Sequence, residues 1–140
     1  MNQEQITAMA SIMVEARRAH EDVGEIIAVS LGAAAEKLGD VEDLVRGRPG
    51  SWEAEIVRRM AVAGKRIGGS LTRLYAPYVK RLVPLFVELG GPGVDGGDVL
   101  SAAMSEAVDA LGGLDEFGGQ SEWYDDLTNL GRQYSSHWND

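Results

Sequence analysis

Apolar residues recur at steps of three and four along nearly the whole chain, and this spacing is what most restricts the fold. Ile6, Met9, Met13, Ala16, His20, Val23, Ile27, Ser30 and Ala34 follow it, polar only at His20 and Ser30. Such a stripe lies along one side of an α-helix, and over four heptads it is the pattern of a helix–helix seam. Period-two alternation, the mark of a half-buried strand, is nearly absent. The expected fold is therefore all-α: a single compact helical domain of five to seven helices over residues 1–140, with a long or hairpinned N-terminal helix.

The first helix is predicted over Gln3–Leu38, about 50 Å long if continuous. Gly24 and Gly32 are weak points in it, each costing about 1 kcal/mol relative to alanine. A break near Gly24, giving two antiparallel helices, is the competing arrangement. Gly39 closes the segment, Asp40 caps a short helix from Val41 to Arg46, and Ser51 caps the next helix after the loop GRPGS. Trp52, Ile56, Met60 and Ala63 share a face of that helix. Gly64, Gly68 and Gly69 loosen the next stretch. The spacing resumes at Leu71, Leu74, Tyr78, Leu82 and Phe86, widened by Tyr75, Val79 and Val83. Pro77 suits the start of a new helix, Pro77 to Leu89, and Pro84 is expected to break or kink it. GGPGVDGG at 90–97 reads as a loop, and Asp98 as the cap of a helix to Leu111 with Leu100, Ala103, Ala107 and Leu111 inward. After GGLDEFGG, Ser121 opens a last helix whose stripe is Trp123, Leu127, Leu130, Tyr134 and Trp138.

Charge divides the chain into three blocks. Residues 1–45 hold nine acids and three bases, residues 46–87 two acids and nine bases, and residues 88–140 eleven acids and one base, Arg132. An acidic–basic–acidic order bears on partners, inside the fold or outside it. The absence of cysteine excludes disulfides, thiol nucleophiles and thiolate metal sites. No run nears the roughly 18 apolar residues of a membrane span. The opening MNQEQITAMASIMVEARR lacks a basic region followed by an apolar block, so no secretory leader is expected and a cytoplasmic location is. Heavy use of Ala, Gly, Val, Arg and Asp suggests a bacterial or phage origin.

Sequence patterns for catalysis and cofactors fail on inspection. Gly91, Gly93 and Gly96 match G-x-G-x-x-G, yet no strand pair surrounds them, and Asp95 and Asp98 set negative charge where a pyrophosphate would lie. GKRIGGS at 64–70 lacks the phosphate-loop order, since Arg59 stands at the first glycine position. His20 has Arg17, not Glu, three residues before it, so it makes no carboxylate–histidine metal pair. DGGD at 95–98 lacks the calcium-loop spacing. Acid pairs such as Glu42/Asp43 and Asp125/Asp126 are adjacent, and adjacent residues on a helix point apart. No catalytic residue, cofactor or metal is assigned.

Three surfaces remain as candidates. Ile6, Met9, Met13, Val23 and Ile27 would form a self-association seam. Trp123, Leu127, Leu130, Tyr134 and Trp138 would enter a partner's groove, since aromatic anchors at these spacings serve helix-in-groove binding. Arg59, Arg66, Arg73 and Lys80 repeat every seven residues, flanked by Arg58, Lys65 and Arg81. On one helix they would make a basic stripe able to track phosphates, with Tyr75 and Tyr78 placed for stacking. A helix-turn-helix over 56–76, turning at Lys65–Ser70, is the corresponding motif, and pairing of these bases with the acidic flanks is the structural alternative. The expected function is a non-enzymatic interaction or assembly protein, a homo-oligomer or an adaptor for a protein partner. Nucleic-acid binding through 46–81 is the alternative, and an acidic inhibitor or nucleic-acid mimic is third.

Overall fold

Side chains that accept the first free N–H groups set three of the helix starts. Glu25 N–H donates to Asp22 Oδ1 at 3.1 Å, Ala54 N–H to Ser51 Oγ at 3.1 Å, and Asp98 N–H to Asp95 Oδ1 at 3.1 Å. The computed structural model describes residues 3–112, in which five α-helices occur and no strand. They are α1 (Gln3–Arg18), α2 (Val23–Leu38), α3 (Trp52–Leu74), α4 (Ala76–Val87) and α5 (Gly96–Leu111). Short 3-10 turns at Val41–Val45 and Glu88–Gly90 join α2 to α3 and α4 to α5. The fold is a compact all-α domain, as the spacing predicts.

The long first helix is not formed. It breaks at residues 19–22, where His20 takes a left-handed φ of 62°. The break falls near Gly24, as the competing arrangement expects, although Gly24 itself lies inside α2 and is buried. The two halves run in opposite directions but pack mainly on other helices. α2 packs chiefly on α3 and α4, whereas α1 packs on α5 and α4.

Paired residues give the direction of each helix. Gln5 and Arg81 of the α1–α4 pair bond to Glu88 and Glu15, so α1 and α4 run oppositely. Tyr75 at the end of α3 meets Glu25 at the start of α2, while Arg58 near the start of α3 reaches Glu42 beyond the end of α2. Gly97 packs on Glu53 and Ala54, so α3 and α5 begin at the same end. Helices therefore alternate in direction along the chain. The start of α2, the ends of α1, α3 and α5 and the start of α4 share one end of the bundle, hereafter the upper end.

The buried apolar side chains form one contiguous cluster, with Met9, Met13, Ile27, Leu31, Met60, Leu82, Phe86, Leu100 and Met104 fully enclosed. Gly32 is not a weak point. It faces Gly64, and a Cβ on Gly64 would overlap the Ala28 carbonyl oxygen. Two helix backbones touch there, which only glycine permits.

Ser30, fully buried on α2, has a hydroxyl with no hydrogen-bond partner. An unpaired buried hydroxyl carries its desolvation cost uncompensated, and serine is a poorer helix former than alanine. Ser30→Ala is expected to raise stability by about 1 kcal/mol, a rise of about 5 °C in Tm. Thermal melts followed by circular dichroism will check this; an unchanged or lowered Tm would contradict it.

Glycine also redirects α3. The helix continues through Lys65–Ser70, so the turn of a helix-turn-helix is absent, but Gly69 departs from helical geometry (φ 18°, ψ −111°). In an unbroken helix Leu71 and Leu74 would lie within about 40° of Met60 on the buried face. Beyond the kink Leu74 instead faces out, 66% exposed, and Tyr75 turns in, 7% exposed. Trp52 likewise leaves the face expected for it and is 49% exposed, while Ile56, Met60 and Ala63 are buried as the spacing predicts. In α4, Pro77 occupies the first turn and Pro84 lies inside without ending the helix. Pro84 and Lys80, whose carbonyl loses its partner, are both exposed, so water can meet that group. Asp40 makes no side-chain cap, and Asp95 rather than Asp98 caps α5. Of the inward set predicted for α5, Leu100, Ala103 and Ala107 are buried and Leu111 is half-buried.

Candidate interaction surface

The self-association seam is not on the surface. Met9, Met13, Val23 and Ile27 are buried within the chain's own core, and Ile6 is half-buried against it. A stripe of weak heptads split between two helices serves two different neighbours here, so it has no free face to offer a second copy. Replacing Met13 or Ile27 with Asp would place a charge in the core and test stability, not assembly. Trp123, Leu127, Leu130, Tyr134 and Trp138 lie outside the described residues.

The basic block divides into engaged and unengaged cations. Arg58 is clamped: its Nε donates to Glu42 Oε2 at 2.7 Å, Nη1 to Glu55 Oε2 at 3.5 Å, and Nη2 to the Pro49 carbonyl. The hydrogen bond to Glu42, above all, raises its pKa beyond the ordinary arginine value. Arg81 donates to Glu15 Oε2 at 2.6 Å across the α1–α4 contact. Arg59 is exposed and engaged. Lys65, Arg66, Arg73 and Lys80 are exposed and form no ion pair among the described residues. Tyr75 is not available for stacking. Its hydroxyl donates to Glu25 Oε1 at 2.8 Å, and burial, with that bond, pushes the phenol well above its usual pKa. Tyr78 is half-buried.

Lys65 and Arg66 border an open groove of about 580 Å³ between α3 and the turn that precedes it. Asp40, Val41 and Glu42 line it from the turn, and Arg58, Val62, Lys65 and Arg66 from α3. Val62 is 54% exposed. Arg58, Arg59, Lys65 and Arg66 stand three or four residues from it, the positions that neighbour it on a helix surface. With Arg58 clamped and Arg59 engaged, Lys65 and Arg66 beside exposed Val62 are left to meet a partner that is acidic at its rim and apolar at its centre. The kink at Gly69 keeps Arg73 and Lys80 from continuing this stripe at the pitch their spacing predicts.

A second groove, of about 530 Å³, lies between α1 and α5. Gln3 and Thr7 bridge it to Glu106, at 2.9 Å each, and it gathers no cluster of cations. At the opposite loops, Arg48 and Asp95 approach to 3.6 Å. Burial, then the neighbouring Asp95, raises the pKa of Asp98, with Arg48 opposing. Among the described residues no three His, Cys, Asp or Glu side chains gather as a metal would require, and no helix is long and apolar enough to cross a membrane.

The exposure of Val62 follows from the spacing, since it lies about 200° around the helix from buried Met60. The i±3 and i±4 cations around it are visible in the sequence too, whereas the partner helix that the buried face meets through Gly32 and Gly64, a pairing across 32 positions, is not. Comparison with protein families, curated proteins and solved structures gives no match for this chain.

Proposed function

We propose that this chain is a non-enzymatic helical interaction protein, an adaptor or assembly component that docks an acidic protein surface on the exposed face of α3. The observation that carries this reading is the pair Lys65 and Arg66, without ion-pair partners among the described residues, beside exposed Val62 on the α3 groove. Charges at such a rim steer encounter and select partners, and the apolar centre supplies area removed from water. A homo-oligomer formed through this face is the self-assembling form of the same reading.

The second reading is nucleic-acid binding. Exposed Arg66, Arg73 and Lys80 favour it; the clamps on Arg58 and Arg81 and the burial of Tyr75 weaken it. One titration separates the two. A labelled glutamate-rich peptide with a central leucine and a labelled DNA duplex are each added to the full chain at about 50 and about 200 mM salt. The lead reading expects peptide binding that Lys65→Glu with Arg66→Glu abolishes, and weak duplex binding. Tight duplex binding that falls by orders of magnitude between the two salts would install the second reading. Absence of both would remove the α3 face from consideration.

A further inference from the structure

We infer that the acidic surface met by the α3 face is carried by a second copy of this chain, on the groove between α1 and α5. The inference rests on the α3 face being a docking surface, and it names what that face meets.

The α1–α5 groove has both properties that the α3 face asks of a partner. Its floor is apolar and built of small side chains: Ala10 and Val14 are buried there, and Ala110 borders them. It continues past Thr7 and Ser11 into an open extension of about 490 Å³ toward the start of α1. Its rim is acidic. Glu4 on α1 and Glu106 on α5 edge it, and neither forms an ion pair among the described residues. Gln3 and Thr7 donate hydrogen bonds to Glu106, which leave its charge in place. Glu15 is held by Arg81, and Arg18 stands at the far end of α1 from Glu4.

Val62 is a small exposed knob with Lys65 and Arg66 to either side of it, at i+3 and i+4. Seated in the groove, it brings two cations without ion pairs to a rim that holds two carboxylates without ion pairs. The two surfaces share no lining residue, so one chain can use both at once. A contact between unlike surfaces does not close on itself as a twofold pair does. It continues head to tail, into a filament or a ring.

Sedimentation velocity of the full chain from about 10 to about 500 μM, at about 50 mM salt, tests this. The expected mass rises with concentration past that of a dimer. Lys65→Glu with Arg66→Glu, and separately Glu4→Lys with Glu106→Lys, should each weaken association at least about tenfold. Mixing the two variants, or placing all four changes in one chain, should restore it, because opposite charges then face one another again. That recovery also excludes misfolding as the cause of the loss. A wild-type chain that stays monomeric overturns the inference, and if it still binds the glutamate-rich peptide the docking reading survives. Loss in both variants without recovery on mixing overturns it as well, since the two surfaces then do not meet. Association that survives either reversal does the same; if only the Glu4 and Glu106 variant survives, two α3 faces meet each other instead.

Discussion

Gly64→Ala is expected to destabilise the protein by about 3 kcal/mol, at the upper end of what overpacking costs. The added methyl would overlap the Ala28 carbonyl group and stand 3.0 Å from the Val29 nitrogen. All of these are backbone atoms, so no rotamer change relieves the clash. Relief requires α2 and α3 to separate, and their separation loosens Leu31 and Met60, both fully enclosed in the core. Alanine's better helix propensity, about 1 kcal/mol, returns only part of the loss. Gly68→Ala is the control. Its Cβ would meet only Thr72 Oγ1, at 3.5 Å, so the propensity gain should appear alone. Urea denaturation of the two variants should displace the midpoints in opposite directions. Equal midpoints would mean that the two helices do not cross at this glycine.

Phe86→Ala should cost more, about 3–5 kcal/mol. Phe86 is fully enclosed on α4, the helix that touches both α2 and α1 and so joins the two halves of the bundle. Removing the ring leaves a cavity that neither half can fill alone, because each is held by its own partner, α3 or α5. Leu74→Ala removes a large apolar side chain that is 66% exposed and should change stability by less than about 0.5 kcal/mol. Similar losses for the two substitutions would show that α4 does not sit between the layers.

Legibility from residues alone depends on the range of the interaction involved. Ile56, Met60, Leu82, Phe86, Leu100 and Ala103 are buried as their spacing predicts, since a helix face is a local property. The cap at Ser51 is legible for the same reason. A break near Gly24 is legible, but its position at His20 is not, because a non-glycine residue in the left-handed region carries no sequence mark, and without that position Asp22 does not stand out as a cap. Gly32 reads as a weakness when propensity is weighed without the partner helix that its small size admits. The candidate surface is half visible. Its cations are plain in the sequence, but the Arg81–Glu15 and Arg58–Glu42 pairs span 66 and 16 positions, and such pairings are set by the fold.

The irregular peptide at Gly69 divides the proposed docking face into two parts of unequal rigidity. Below it, residues 52–68 are locked to α2 through the glycine crossing. Above it, residues 70–74 rest on half-buried Leu71 and on the phenol of Tyr75. A short segment with so few enclosed side chains opens at a lower free energy than the bundle does. Amide deuterium exchange should thus run faster over 70–74 than over 56–64, with both attached to one nominal helix. Val62, Lys65 and Arg66 then act as a fixed template, and Arg73 with Leu74 as an adjustable flap whose ordering a ligand must supply from its own binding energy.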